Sequence, residues 1–479
     1  MFSGCMIEAG NLVSGEEMVN GEHAGRIGTR GVSAIGLALL CLIAALFWAK
    51  PASAVTYETG YNPDGLPTDE GCFWTGPFTR NNPKTNVAVP GTEITYWAAK
   101  FRTPPGSTVT LKGAFPHARY SSLNSYDNLG ASQTSLPDRD ITPDPGSINP
   151  GLPGANRAAT NRNYTVEVRG EAPPASPARN TLYAAPVADG YQTIIYRVYI
   201  PDRGRDLAGG TGVPVPSLRL AGGQVLEGSD LCNQMNSIHY FTSTKMDPQT
   251  YQTLVNWPGR DPLTNPAVNP MEFSRYWNLQ NVVARYKTPA EQKEAWRLFP
   301  NYAGTQYDNR DARYMTSGFS FRFGKVIVLK GKLPTTPRTL DGQKKMTSGQ
   351  LIAWDMCIIQ ALVTTKTWNC VFDEQLPLRG GKKREYTIVI SQRANRPKNA
   401  RTKCGVWWMA PDPEGDGGGR TDVGQLLTRN VLPAANYARS SWNVPTPFPA
   451  DAVRTMGPYY PKGTYTSKKS FEKRGCPKK

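Results

Sequence analysis

A short motif occurs twice in this chain, and its repetition constrains the fold more than any other feature. LKGAFP at 111–116 returns as LKGKLP at 329–334, and each copy follows an alternating run, STVTLKG or KVIVLKG. Two further echoes follow in the same order: NYTVEV at 163–168 with EYTIVI at 385–390, and YRVYIPDRGRD at 196–206 with VWWMAPDPEGD at 406–416. Self-similarity of this kind is the signature of a repeated structural unit, so we predict a duplicated domain.

The repeated segments have the composition of β-strands. They are short, rich in Val, Ile, Thr, Tyr and Trp, and bounded by Gly, Pro, Asn or Asp. The chain also holds 46 Gly and 41 Pro, which favours turns and short strands over long helices. We therefore predict a mainly β protein with two tandem β-sandwich or jelly-roll-like domains, at 55–239 and 316–479.

The sequence between the predicted domains is of a different kind. Thr288 precedes Pro289, and Glu291 follows three residues after Thr288, which is the pattern of a capping box at a helix start. DPQTYQTLVNW from Asp247 and NPMEFSRYW from Asn269 are similar helix candidates. We predict a short helical insert over 240–315 that bridges the two sandwiches or covers one of them.

Residues 1–54 have the pattern of a secretory leader. Arg26 and Arg30 precede an apolar run from Val32 to Ala49, and KPASA then ends at Ala54 with small residues. We predict a signal peptide, with an uncleaved membrane anchor as the alternative, because the run of about 18 residues reaches spanning length. The protein is expected to be exported, to the periplasm or the extracellular space.

The cysteines agree with an oxidising compartment. Six remain after residue 54, an even number with no CxxC pair of the zinc-binding kind. Fifteen pairings are open to six cysteines. Our prediction keeps each bridge within one half of the chain: Cys72 with Cys232, Cys357 with Cys370, and Cys404 with Cys476.

The chain after residue 54 also resembles uncharacterised bacterial envelope proteins with jelly-roll-like domains of unknown function, mainly through residues of its first half. RYSSLNSYD, the acidic and proline-rich loop DRDITPDPGSINP, and YRVYIPD followed by a glycine pair carry this likeness. The resemblance implies a fold class and a location, and it brings no established activity.

One stretch holds residue types that hydrolases use. LKGAFPHARYSSLNSYD places His117 close to Ser121, and Asp138 and Asp140 follow it. A Ser/His/Asp set needs a serine on a strained turn and a base within hydrogen-bond reach, and the chain contains no GxSxG. We interpret ARYSSLNSYD as a strand and His117 as its entrance. The four residues are the catalytic candidates of the alternative function.

A second acidic pattern suggests a metal. PDPEGDGGGRTD places Asp412, Glu414 and Asp416 at alternate positions, followed by glycines and Asp422. Alternating oxygen ligands before a glycine turn are how a calcium loop wraps its ion. Val423 stands where an EF-hand has its closing glutamate, so the pattern departs from that family. Ca²⁺ is the one cofactor suggested by the sequence, and a solvated acidic turn is the alternative.

Aromatic and basic residues indicate a ligand-binding surface. Trp407 and Trp408 are adjacent, so they cannot both face inward on one strand, and one is expected to be exposed or covered by a loop. Lys382, Lys383 and Arg384 precede EYTIVI, and more basic residues follow at 393–403 and 468–479. Together these basic residues would form a cationic face. The alternatives are a solvated basic rim and tryptophans that pack beneath the helical insert.

The charge favours an anionic partner. The formal net charge is +17, which suits a phosphate-bearing envelope polymer or an anionic lipid surface. Nucleic acid is not expected for an exported chain without a recognisable nucleic-acid module. The leading hypothesis is non-catalytic binding of an anionic or amphipathic envelope ligand. The alternatives are an envelope hydrolase or lyase, metal-assisted in one version, that uses loop carboxylates, and a structural component held at the membrane.

Overall fold

Four β-sheets of four or five strands and one two-stranded sheet, which pairs Val55–Thr56 with Thr242–Ser243, dominate the regular secondary structure of the described residues, which confirms the predicted mainly β class. The structure is a computed structural model, and it describes residues 55–56, 72–127, 130–238, 242–243, 245–304, 307–360 and 362–476. The predicted leader, residues 1–54, lies outside the described residues.

The strands of the first part of the chain are β1 (Val55–Thr56), β2 (Thr75–Phe78), β3 (Ile94–Phe101), β4 (Thr108–Ala114), β5 (Ala118–Tyr126), β6 (Ser132–Pro137), β7 (Asn163–Arg169), β8 (Thr181–Tyr183), β9 (Gln192–Pro201), β10 (Val215–Arg219), β11 (Val225–Leu226) and β12 (Thr242–Ser243). Those of the second part are β13 (Ser274–Arg275), β14 (Ala312–Ser320), β15 (Val326–Lys332), β16 (Leu351–Ile359), β17 (Thr367–Phe372), β18 (Glu385–Ile390), β19 (Trp407–Met409), β20 (Val423–Pro433) and β21 (Lys462–Thr466). The helices are α1 (Gly228–Gln234), α2 (Pro248–Val255), α3 (Leu279–Ala284), α4 (Pro289–Leu298), α5 (Pro449–Met456) and α6 (Lys468–Glu472).

The first half contains two five-stranded sheets, with the orders β2-β3-β9-β5-β6 and β11-β10-β4-β7-β8. Only the β7–β8 pair among them is parallel. Apolar side chains of both sheets share one buried cluster, which includes Trp97 and Ile194 from the first sheet and Leu111 and Val166 from the second. The core of this half therefore lies between its two sheets.

The second half repeats this strand order. Its sheets run β13-β14-β20-β16-β17 and β19-β18-β15-β21, and again one pair, β18–β19, is parallel. Its buried cluster likewise takes Met356 and Leu426 from one sheet and Leu329 and Ile388 from the other. Position by position, the described sheets of the two halves match except for β11.

The repeated LKG motif has the same structural environment in both halves. In β4, Gly113 pairs with Tyr164 of β7, and in β15, Gly331 pairs with Tyr386 of β18. A Cβ atom added at either glycine would lie 2.7 Å from the hydroxyl oxygen of that tyrosine. Glycine is needed here because the partner's ring crosses directly over the backbone.

The third sequence echo does not join equivalent strands. YRVYIP lies in β9, whereas VWWM lies around β19, which occupies the sheet position of β8. The counterpart of YRVYIP is TRNVLP of β20, with Arg197 matching Arg429. The backbone φ angle is positive at matching places, 54° at Ile200 and 40° at Leu432. These two segments are hard to recognise as equivalent from the sequence, because only the arginine and the proline are identical.

The two halves exchange contacts through these matched arginines. Arg197 donates to the backbone carbonyl of Tyr307, 2.6 Å away, in the loop before β14. Arg429 donates to the backbone carbonyl of Val89, in the loop before β3, and to the carboxylate of Asp355 at 2.7 Å. Both arginines are buried. Each half therefore satisfies backbone groups of the other through a fixed charged side chain.

The described residues of 240–315 include the helices α2, α3 and α4. Thr288 forms the full capping box with Glu291 at the start of α4, and Asp247 caps α2. NPMEFSRYW is not a helix: Ser274 and Arg275 form β13 and pair with β14, because the edge of that sheet offers backbone partners that local helix signals do not outweigh. The insert thus adds β13 and the start of β14 to the second half.

All three predicted disulfides are present: Cys72–Cys232, Cys357–Cys370 and Cys404–Cys476. Paired cysteines are typical of an oxidising, exported location. Among the described residues, no helix is long and apolar enough to cross a membrane.

Candidate ligand-binding surface

The hydrolase candidates are only partly brought together. His117 directly precedes β5 and Ser121 lies four residues along it, so their Cα atoms are about 13 Å apart in extended backbone. Ser121 Oγ does approach Asp138, at 3.4 Å, and Asp140 is exposed. The described contacts therefore do not assemble the Ser/His/Asp geometry, and ARYSSLNSY is the predicted strand.

Asp138 instead fixes the end of a strand pair. Its carboxylate accepts the backbone N–H groups of Ser121, at 2.8 Å, and Arg139, at 2.7 Å. Asp373, at the matching position after β17, accepts the backbone N–H of Trp354 at 3.0 Å. The same aspartate therefore serves the same backbone group in both halves. Burial raises the pKa of Asp138 to about 7, although the hydrogen bonds from Ser121 and Arg139 oppose this shift.

This pKa predicts a pH effect on stability. The carboxyl of an unfolded chain has a pKa of about 3.9, so between about pH 4 and pH 7 the unfolded state loses this proton and the folded state keeps it. The free energy of unfolding of the wild type therefore falls as the pH rises through this range, and it levels off above pH 7. Asp138→Asn cannot ionise, so its free energy of unfolding should not fall in this way. We expect the free energy of unfolding of Asp138→Asn, measured relative to that of the wild type, to rise by up to about 4 kcal/mol between about pH 4 and pH 7. Urea unfolding at each pH measures this, and a constant difference would contradict it.

The acidic candidates of the predicted calcium loop have protein partners. Asp416 accepts from Arg420 Nε at 2.7 Å and from the Tyr251 hydroxyl at 2.9 Å. Asp412 accepts from the side-chain amide of Gln360 at 2.7 Å, and Asp422 pairs with an arginine, Arg322, at 3.0 Å. Glu414 is exposed. Within the described ranges, no group of three or more His, Cys, Asp or Glu side chains is arranged to hold a metal ion.

The two adjacent tryptophans face opposite sides of their sheet, as strand geometry requires. Trp407 packs against the main core of the second half, and Trp408 packs against a smaller cluster on the other face. The Trp408 ring lies 4.2 Å from the guanidinium of Arg396, and its Nε1 donates to Ser391 Oγ at 3.0 Å. A loop therefore covers Trp408, which is one of the two predicted arrangements.

The predicted KKR cluster lies elsewhere. Lys382 and Lys383 are exposed in a turn before β18. The basic residues that follow residue 391 lie beyond the other end of β18, and this strand of six residues is about 20 Å long. Arg384 donates to the backbone carbonyls of Leu333 and Pro334, at 3.2 and 3.1 Å. These three residues therefore do not join the basic residues beyond β18.

Two segments cover the outer face of the sheet that contains β15 and β18. We call residues 391–406 and 467–476 the basic cap. The Cys404–Cys476 disulfide joins the segments, and the Asn399 amide donates to the carbonyls of Phe471 and Gly475 at 3.1 and 2.8 Å. Beneath them lies a buried cluster made of Val326, Val328, Val389, Ala400, Cys404, Val406 and Phe471. The cap is therefore a packed and cross-linked part of the fold.

The surface of the cap is strongly cationic. Eight of its basic side chains are exposed: Arg393, Arg396, Lys398, Arg401, Lys403, Lys469, Lys473 and Arg474. Its one acidic residue, Glu472, accepts the backbone N–H of Lys398 at 2.8 Å and so holds the two segments together. This concentration of like charge creates a positive potential that attracts anions.

The cap leaves a signal in the sequence of the strand that it covers. Val326 and Val328 in KVIVLKG are buried by the cap, whereas the matching Thr108 and Thr110 in STVTLKG are partly exposed. A strand that is apolar at consecutive positions is covered on both faces. The difference between the two copies of the motif therefore marks the half that carries an extra layer.

Comparisons with known proteins show uncharacterised bacterial neighbours. No family model matches the chain, and no curated protein matches it. An uncharacterised protein from Burkholderia cenocepacia is similar at 11% identity over 84% of this chain and 83% of its own, with a TM-score of 0.44. The VPA0106 protein from Vibrio parahaemolyticus is similar at 9% identity over 78% and 89%, with a TM-score of 0.35. TM-scores below 0.5 assign neither fold nor function.

Proposed function

We propose that this protein is exported and binds a phosphate-bearing polyanion of the cell envelope through the basic cap, without catalysing a reaction. The observation that carries the proposal is the set of eight exposed cations on one cross-linked layer, whose single carboxylate is used internally. A rigid layer loses little conformational freedom when it binds, and repeated phosphates match repeated cations.

The cap favours a soluble polymer over a lipid bilayer. Peripheral binding to a bilayer combines charge with apolar side chains that enter the headgroup region. The large hydrophobic side chains that are exposed in the described structure are Ile148, Leu152, Leu207, Val215, Val225, Leu263, Leu298 and Val453. None of these lies in the cap, so its attraction is electrostatic.

We further propose that the two halves are tandem β-sandwich, jelly-roll-like domains that arose by duplication. The shared strand order, the repeated register at Gly113 and Gly331 and the matched Arg197 and Arg429 support this. The basic cap is present on one copy, so we place the ligand-binding role in the second domain.

Charge reversal in the cap tests the function. We expect the triple variant Lys398→Glu, Arg401→Glu, Lys403→Glu to bind inorganic polyphosphate about 100-fold more weakly or worse. Each basic residue near an anionic surface contributes about 1 kcal/mol, and three contribute about 3 kcal/mol. Titration calorimetry at low and at physiological salt measures the affinity, which should also fall as salt rises.

A matched variant carries the same charge change elsewhere. Lys112, Arg179 and Arg219 are exposed in the first half, and their replacement by Glu should reduce polyphosphate affinity only slightly. Equal losses in the two triple variants would show that net charge, and not the cap, drives binding. Tighter binding to anionic lipid vesicles than to polyphosphate would overturn the choice of a polymer.

A further inference from the structure

A polar pocket lies among β13, α3, α4, β14 and the segment at 447–448. Its polar lining consists of Ser274, Arg275, Asn281, Arg285, Gln292 and Thr316. The sheet register places Ser274 directly opposite Thr316, so two hydroxyl-bearing residues lie side by side at this wall. The pocket shares no residue with the basic cap.

Neither arginine of this pocket, Arg275 or Arg285, forms a salt bridge with a described carboxylate, although the charge of Glu272 acts on Arg285. Arg275 donates to the backbone carbonyls of Trp442 and Val444, but its Nε has no hydrogen-bond partner among the described residues. Arg285 donates to the hydroxyl of Thr316. Burial lowers the pKa of Arg275 to about 10 and also lowers the pKa of Arg285.

Asn281 gives an independent indication of a ligand. The residue is 6% exposed, and neither its amide nitrogen nor its amide oxygen has a hydrogen-bond partner among the described residues. Its backbone N–H is satisfied by Asn278, so the amide alone is left over. Buried polar groups are nearly always paired, and an unpaired amide next to two arginines that form no described salt bridge marks a place for an anion.

We propose that this pocket binds a phosphate group. Both arginines line the pocket and carry guanidinium N–H donors of the kind that suit phosphate oxygens, and the Thr316 hydroxyl contacts Arg285. Monohydrogen phosphate also carries an O–H donor, so it can accept from the Asn281 amide nitrogen and donate to the amide oxygen. A carboxylate lacks that donor and would leave the amide oxygen unpaired.

Orthophosphate binding tests this proposal directly. We expect the wild type to bind inorganic phosphate, and Asn281→Leu and Arg285→Met to bind it about ten- to a hundredfold more weakly. Asn281→Leu should fold at least as well as the wild type, because its amide makes no hydrogen bond within the described structure. Its loss of binding cannot then be a loss of folding. Titration calorimetry gives the affinities, and thermal unfolding checks the fold.

The control is an arginine of the same insert that does not line the pocket. Arg260 donates to the carbonyls of Lys287 and Pro266, and burial lowers its pKa too, so Arg260→Met should leave phosphate binding unchanged. The cap variant with Glu at 398, 401 and 403 should lose polyphosphate and keep orthophosphate, which separates the two proposals. Acetate that binds as tightly as phosphate, unchanged phosphate affinity in Asn281→Leu, or no binding to the wild type would overturn the pocket proposal.

Discussion

We expect Arg119→Met to lower the free energy of unfolding by about 3–5 kcal/mol. Arg119 is 1% exposed and lies in β5, yet its partners lie in the second half. Its guanidinium donates to both oxygens of Asp373 at 2.7 Å, to Glu374, and to the Thr339 hydroxyl at 3.1 Å. Removal of the arginine would leave Asp373 buried without its ion-pair partner and Glu374 with only the exposed Arg338, at 3.6 Å. A buried carboxylate that loses its partner costs more than the pair contributes. Urea unfolding with the disulfides intact measures the loss.

A second ion pair between the halves is the natural control. Arg203 and Asp341 also join the first half to the second, at 2.9 Å, but their side chains are 68% and 64% exposed. Solvent screens this pair, so Arg203→Met should cost less than about 1 kcal/mol. If the two variants lost the same stability, burial would not be the source of the Arg119 effect.

The Cys72–Cys232 disulfide is expected to contribute most among the three bridges. It joins residues 160 positions apart, so its removal frees the largest loop in the unfolded chain. The chain-entropy relation gives about 5 kcal/mol for this loop and about 3 kcal/mol for the loop of 13 closed by Cys357–Cys370. We expect Cys72→Ala with Cys232→Ala to lose roughly that larger amount in urea unfolding.

The single variants separate the cross-link from packing. Either Cys72→Ala or Cys232→Ala removes the bridge, so each should lose nearly as much stability as the double variant. A loss below about 2 kcal/mol in the double variant would contradict the entropic account. A large difference between the two single variants would assign the effect to packing around Cys232, which is 7% exposed.

The failures of sequence reasoning have one cause in common. NPMEFSRYW carries a helix-start signal, but pairing with β14 makes Ser274 and Arg275 a strand. VWWMAPD resembles YRVYIPD in sequence, but the strand that occupies the same sheet position as YRVYIP is TRNVLP. In both cases a partner distant in the chain decided the outcome, and local propensity is weaker than such pairing.

The candidate sites differ in how much could be foreseen. The basic residues of the cap are visible as runs in the sequence, and their use as one layer follows from the Cys404–Cys476 pairing that was predicted. The pocket of Arg275, Asn281 and Arg285 was not foreseen. Its residues are ordinary in type and spacing, and only the missing partners in the folded chain distinguish them.

The sequence alone determined the mainly β class, most of the strands and the capping box at Thr288, because side-chain alternation, turn residues and caps act between neighbours in the chain. The sequence leaves fifteen cysteine pairings open, and the fold selects one of them by bringing distant partners together. Tertiary structure decided how the halves meet, which face of the sheet is covered and which polar groups lack partners. Arg119 and Asp373 are 254 residues apart, so their contact depends on the packing of whole sheets. No local pattern of residues encodes such a contact.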